Sequence, residues 1–332
     1  MKEDEIIVEC SYIFSKAFGQ PPIGITPIAA SGSSRKYFRC VSPEGRYIVC
    51  ISDNINENKT FLKLTRYLLT RNLPVPKIYY IDETYKSYIL EDLGELDLMG
   101  LLKSKCKEEE KWEMIYSSIS ALVRFQQLPI AEWKEIVEFP ALDSKLIRYD
   151  FQYAIDNFFS VQSIKYNSSR LNSELEKLEK RLLSYPKNLW GLMYRDFQSR
   201  NIMIHGKTYL IDYQSCRFGP GIYDLVSFSW QAKANFSEKD RKKIIAHYVK
   251  QWDLSGVSSG SSILDNVAYW AIFRIMQTLG AYGLRGLKEG KQHFIDSIPP
   301  ALRNFQNLLN DYHLSSEYPE LEGVIGRLDS FL

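Results

Sequence analysis

The stretch Tyr194-Arg195-Asp196-Phe197-Gln198-Ser199-Arg200-Asn201, followed by Ile211-Asp212-Tyr213-Gln214, decides how this chain is read. An apolar run over 189–193 leads into it. Ile202-Met203-Ile204 and Tyr209-Leu210-Ile211 read as two short strands, with His205-Gly206-Lys207 as the turn between them. Such a hairpin returns Asp212 to the neighbourhood of Asn201. Two carboxylates and an amide in this order suit phosphoryl transfer. One carboxylate orients and deprotonates a hydroxyl, and the remaining oxygens hold Mg²⁺ on nucleotide phosphates. The competing reading makes them loop residues that cap turns. Turn chemistry, however, does not ask for a second Asp just beyond the returning strand.

In the kinase catalytic loop an Asp is the base, an Asn five residues on is a metal ligand, and a second metal-binding Asp opens a later segment. This chain keeps that order and spacing in Asp196, Asn201 and Asp212. With Gly219-Pro220 and Tyr223-Asp224-Leu225, the pattern resembles the aminoglycoside phosphotransferase and choline kinase branch of the protein-kinase-like fold. Within it, the chain is most similar to bacterial N-acetylmuramate/N-acetylglucosamine 1-kinases. That closer likeness rests on Ser199-Arg200-Asn201, Gly219-Pro220-x-x-Tyr223-Asp224, Tyr88-Ile89-Leu90-Glu91-Asp92-Leu93-Gly94, and the tail from Leu279-Gly280-Ala281-Tyr282-Gly283 to Ile298-Pro299. The resemblance implies ATP and Mg²⁺ as cofactors, Asp196 as general base, Asn201 and Asp212 as metal ligands, and Arg195 and Asp224 as supports of the catalytic loop. The His that usually opens that loop is Tyr194 here.

Composition bounds the alternatives. The 332 residues are 45% hydrophobic and 25% charged with a formal net charge of +2, as expected of a globular chain with a full core. Neither sign of charge dominates a long stretch, so no nucleic-acid or membrane partner is expected. The mixed charge run over 103–111 reads as a solvated helix start or loop. The five cysteines are scattered and never form Cys-x-x-Cys, and the four histidines show no ligand spacing, so neither a disulfide framework nor a zinc site is suggested. The acidic start is unlike a signal peptide, and no apolar run approaches the ~20 residues that span a bilayer. A soluble, cytoplasmic protein is expected.

Outward from the catalytic stretch, 5–18 carries apolar residues at helical spacing and ends at Pro21-Pro22. Residues 25–30, 37–41 and 47–51 are β-prone, 57–71 is an amphipathic helix, and 77–81 and 88–91 are two further strands. From residue 111 onward the pattern is helical, over 111–128, 142–160, 169–184, 223–232, 237–252, 262–279 and 298–309. The fold class is therefore α+β, protein-kinase-like and two-lobed. A small five-stranded antiparallel nucleotide-covering lobe over 1–93 is followed by a mainly helical catalytic and substrate lobe over 94–332.

Small residues around Gly32, Ser33 and Ser34 allow backbone N–H groups close to phosphate oxygens; alone they read as a plain hairpin connector, and only the resemblance makes a phosphate-covering loop an equal reading. The resemblance further implies that backbone near Glu91, Asp92 and Leu93 meets the nucleobase. One departure stands out. Kinases carry a phosphate-gripping Lys on the third strand, and Arg46-Tyr47-Ile48-Val49-Cys50-Ile51-Ser52 has no Lys at its inward positions. Its helix partner by position is Glu57, and either Arg35 takes over or the lobe relies on backbone and metal.

The acceptor is expected to be a small molecule. A choline site needs aromatic faces and carboxylates around a cation, and an aminoglycoside site needs a dense acidic cleft. Here Arg285, Lys288, Lys291 and Arg303 outweigh Glu289 and Asp296, which favours a neutral or acidic amino sugar phosphorylated at its anomeric hydroxyl. Gln198, Arg200 and Arg274 are the candidate sugar contacts. By position in an otherwise apolar helix, Arg274 and Gln277 read first as its solvated edge and second as facing the acceptor cleft. The alternatives are a choline, aminoglycoside or homoserine kinase, or a pseudokinase-like nucleotide sensor, motivated by Tyr194 and the missing Lys. A protein kinase is disfavoured, because nothing after Tyr223-Asp224 ends in Ala-Pro-Glu.

Overall fold

A computed structural model describes residues 3–28, 35–162 and 164–328. Helix α1 (Glu3–Phe18) precedes strands β1 (Gly24–Ile28), β2 (Lys36–Ser42) and β3 (Gly45–Ile51). Helix α2 (Ile55–Thr70), β4 (Ile78–Ile81) and β5 (Ser87–Glu91) follow. The five strands form one antiparallel sheet in the order β1-β2-β3-β5-β4. Side chains alternate between the faces of a strand, and the cross-strand register sorts them. Phe38, Val49 and Ile89 line up on one face, where Ile6, Cys10, Ile13 and Phe14 of α1 cover them together with Cys40 and Ile51. Tyr37, Cys50 and Tyr88 line up on the other. Helix α2 begins where Asn54 accepts a hydrogen bond from the Glu57 amide, and it buries Phe61, Leu62, Leu64 and Leu68.

The chain forms two compact units, Met1–Glu138 with Arg200–Ser215, and Phe139–Ser199 with Cys216–Leu332. Hydrogen bonding ties residues 200–215 into the first unit. The short hairpin Ile202–Ile204/Thr208–Leu210 is bound to the first unit, with the Ile204 amide donating to Leu96 O at 2.8 Å and the Leu210 amide to Pro74 O at 2.7 Å. Tyr213 then stacks on Phe61 with ring centroids 5.3 Å apart, and its hydroxyl meets Thr65 Oγ1 at 2.6 Å.

The second unit is mainly helical. Strand Trp190–Met193 pairs antiparallel with Arg217–Pro220, a strand that the sequence reading left out. Helix Val267–Tyr282 packs against Ser144–Ala154 and Ile222–Ser229. The glycines of Gly280-Ala281-Tyr282-Gly283 make it read as a turn in sequence, but in the structure it closes that helix and runs into a π-helical turn, Gly283–Lys288. Its glycines serve close approach: a Cβ on Gly280 would lie 2.6 Å from a Tyr153 ring carbon, and one on Gly283 would lie 2.0 Å from Asn157 O. Ser237 and Asp240 form a full capping box at helix Glu238–Leu254. Among the described residues, no helix is long and apolar enough to cross a membrane.

Candidate active site

In the second unit, strand Trp190–Met193 delivers the chain into Tyr194 and Arg195, both buried. Arg195 has φ +81°, a left-handed conformation that costs a side-chain-bearing residue about 1–3 kcal/mol. The fully buried Asp224 holds it there: one carboxylate oxygen accepts the Tyr194 amide at 2.8 Å and the other the Arg195 amide at 2.9 Å. The Arg195 side chain lies over the Tyr223 ring at 4.9 Å and donates to Asp150 Oδ2 at 2.9 Å. Asp196 comes next with its side chain 42% exposed, so the rigid backbone on its N-terminal side presents a carboxylate to solvent.

A prediction follows from this support. Asp224→Ala strands two buried amides, each costing about 1–3 kcal/mol when unpaired, so a loss of about 2–6 kcal/mol is expected in denaturant unfolding. Asp224→Asn, which keeps one acceptor oxygen, should lose less. Wild-type stability in the Ala variant would show that the carboxylate does not hold the loop.

Arg274 stands beside Asp196. Its guanidinium comes within 3.8 Å of Asp196 Oδ1, donates to Ser227 Oγ and to Gln277 Oε1, and lies 5.5 Å from the centre of the Tyr223 ring. The solvated-edge reading of this residue is corrected, since Arg274 is buried. Next to it is a small recess whose lining includes Gln198, Ser227, Trp230, Gln231, Arg274 and Tyr282. Gln231 fixes one wall: it accepts the Ser199 amide at 3.0 Å and donates to Ser199 Oγ at 2.7 Å. Tyr282 belongs to the tail motif that carries the amino-sugar kinase resemblance, whereas Trp230 and Gln231 are site residues that the sequence does not single out; the one available signal is that they follow directly on the helix Ile222–Ser229 that holds Asp224. Arg200 is exposed, belongs to the first unit, and is not among the residues of this recess.

In the first unit, the hairpin returns the chain as expected, and the Ile211 amide donates to Asn201 O at 3.1 Å. Asp212 follows with φ +67°, and its Oδ1 accepts a hydrogen bond from Gln214 Nε2 at 2.7 Å. Asn201 and Asp212 offer hard oxygen donors of the kind Mg²⁺ takes. Among the described residues no group of three or more His, Cys, Asp or Glu side chains could hold a metal ion. A Mg²⁺ shared with nucleotide phosphates asks the protein for only one or two carboxylates, and this pair fits that demand.

The sheet places the remaining candidates. Arg35 is buried against α2, with NH2 2.6 Å from Glu57 Oε1. Gly32, Ser33 and Ser34 lie outside the described residues. Asp92 turns its carboxylate to Arg39, accepting from Nε at 2.8 Å and NH2 at 3.1 Å, and also accepts the Gly94 amide at 2.9 Å. Burial would raise its pKa, but Arg39 and the Gly94 amide outweigh it and hold the carboxyl below the usual range. Gly94 takes φ +83°, the conformation that lets the chain leave β5. Glu91 Oε2 accepts the Lys77 amide at 3.1 Å, and Leu93 is buried.

Comparison with known proteins agrees with this architecture. The chain is 22% identical over 312 residues, 91% of each protein, to the N-acetylmuramate/N-acetylglucosamine kinase of Neisseria meningitidis serogroup B (strain ATCC BAA-335 / MC58). A choline/ethanolamine kinase family protein from Mesorhizobium loti superimposes with a TM-score of 0.64 at 13% identity, covering 97% of this chain and 99% of that one. A streptomycin-ATP-APH(2″)-IIa ternary complex superimposes with a TM-score of 0.57 at 16% identity, covering 89% and 98%. At such identities the two structures speak for a shared fold. The phosphotransferase enzyme family model matches residues 24–258, more than half of the chain, which therefore belongs to the phosphotransferase enzyme family.

Proposed function

We propose that the protein is an ATP-dependent small-molecule kinase that transfers the γ-phosphoryl group to the anomeric hydroxyl of an N-acetyl amino sugar. Phosphoryl transfer is the chemistry of the family. Asp196 is the general base: its exposed carboxylate accepts the proton of the attacking hydroxyl, while Asp224 and Asp150 keep its loop in place through Tyr194 and Arg195. Asn201 and Asp212 are the metal ligands, and Mg²⁺ when bound neutralises charge on the nucleotide phosphates. Residues 1–93 form the nucleotide-covering lobe, with Arg35 as a phosphate contact and backbone at 91–93 as the contact to the base.

The observation that supports the acceptor class is the lining of the recess beside Asp196. Its lining residues carry amides, hydroxyls, an indole and a guanidinium beside the apolar Ala232, Ile275 and Ala301, and none of them carries a carboxylate. Choline and aminoglycoside acceptors are cations that call for negative charge. A neutral or anionic sugar finds donors instead, from Gln198 and Arg274. The likeness to the Neisseria amino-sugar kinase points the same way. Arg200 stays a candidate contact only through its place in the motif.

Incubation with ATP, Mg²⁺ and N-acetylglucosamine or N-acetylmuramate is expected to give an α-1-phosphate by phosphorus NMR. A 6-phosphate, or turnover only with choline or aminoglycosides, would overturn the acceptor and leave the phosphotransferase standing.

A further inference from the structure

We propose that Arg35, at the entry to β2, supplies the cationic grip on nucleotide phosphates that the third strand lacks, and that Glu57 of α2 positions it. The inference rests on the nucleotide-dependent reading above and adds the residue that replaces the missing Lys. Its starting point is the face of the sheet turned away from α1. On that face β3 presents Cys50, which the register sets between Tyr37 of β2 and Tyr88 of β5. Burial pushes the Cys50 thiol up to about 11, so it is neutral and offers phosphate no charge.

The positive charge enters from the neighbouring strand. Arg35 precedes Tyr37 by two residues and so shares its face. Its side chain is 3% exposed, its NH2 lies 2.6 Å from Glu57 Oε1, and its NH1 lies 3.5 Å from the Tyr37 hydroxyl. Glu57 is the residue that sequence position assigns as partner to the absent Lys. The pair therefore reproduces the strand-to-helix ion pair of kinases with its cation moved one strand over.

The same cluster reaches the proposed metal ligands without leaving the first unit. Arg35 lies 5.8 Å from the centre of the Phe61 ring, and Tyr213, next to Asp212, stacks on that ring at 5.3 Å. Asp212 is also close enough to add to the forces that raise the Tyr37 pKa, of which burial is the largest. A guanidinium suits this place, because its planar fork can hold a carboxylate along one edge and a phosphate oxygen along another.

The test measures equilibrium binding by calorimetry, with MgATP and with adenosine as probes. Arg35→Met is expected to weaken MgATP binding about 10- to 100-fold, the worth of one or two charge-assisted hydrogen bonds. Adenosine affinity should stay within about twofold, because the change touches only phosphate contacts. Arg35→Lys should recover part of the loss and serves as the readout if the Met variant does not fold. Arg35→Met with Cys50→Lys returns the charge to the third strand and should restore MgATP affinity relative to Arg35→Met alone. Unchanged MgATP binding in Arg35→Met, or equal losses for MgATP and adenosine, would overturn the proposal. A wild-type protein that binds no MgATP would instead overturn the nucleotide-dependent reading beneath it.

Discussion

Asp196→Asn is expected to lower turnover about 10²- to 10⁴-fold, the usual contribution of a general base, while MgATP binds as in the wild type. The amide matches the carboxylate in shape but cannot take the proton of the acceptor hydroxyl. Little else should change, because the loop is held from its other side by Asp224 on the Tyr194 and Arg195 amides and by Asp150 on the Arg195 guanidinium. Loss of the carboxylate removes the 3.8 Å approach of Arg274, but Arg274 keeps Ser227 and Gln277. Thermal unfolding within about 2 °C of wild type should accompany the kinetic loss, as expected for a near-isosteric change at a partly exposed side chain. Turnover equal to wild type in a coupled nucleotide-consumption assay would remove Asp196 from the role of base. A large fall in melting temperature would place it among the loop supports.

The contrast between Asp196 and Asp224 shows what a sequence makes legible. Both are single acidic residues within short motifs, and the family resemblance carried by those motifs implies a reactant in one and a support in the other; the structure leaves the first partly exposed and buries the second. The sheet was equally open to reading, because the alternation of Phe38 and Cys40 against Tyr37 and Arg39 is a local property of β2. So was the return of Asp212 towards Asn201, which needs only a short hairpin with Gly206 at φ +68°.

What the sequence hid depends on distant partners. Nothing in residues 202–215 announces that Leu210 will bond to Pro74, or that Tyr213 will seek Phe61 and Thr65, and those contacts hold residues 200–215 in the first compact unit. Arg274 was ambiguous for a similar reason. One guanidinium in an apolar helix can face water or be buried, and the choice is made by Tyr223 and Ser227 on another helix. Asp92 carries the same lesson for the nucleobase segment: its carboxylate is taken by Arg39, and that pairing spans 53 positions of sequence.

Asp212→Ala is expected to abolish the Mg²⁺ dependence of ATP binding and to reduce turnover by at least about 10²-fold, as loss of an electrostatic clamp on the transferring group does. Asp212 is the charged member of the proposed pair, and the Asn201 amide that remains cannot neutralise a divalent cation. The backbone complicates the Ala variant, because at φ +67° an Ala side chain costs about 1–2 kcal/mol where Asp and Asn are better tolerated. Asp212→Asn separates the two effects. It keeps the left-handed conformation and the oxygen that accepts from Gln214, and it removes only the charge. Stability close to wild type with a flat response of ATP affinity to Mg²⁺ is the expected outcome for Asp212→Asn, with a lower melting temperature added for Asp212→Ala. Titration with ATP in the presence and absence of Mg²⁺ decides the matter. Equal metal dependence in the wild type and both variants would take Asp212 out of the metal site, whatever the variants do to turnover.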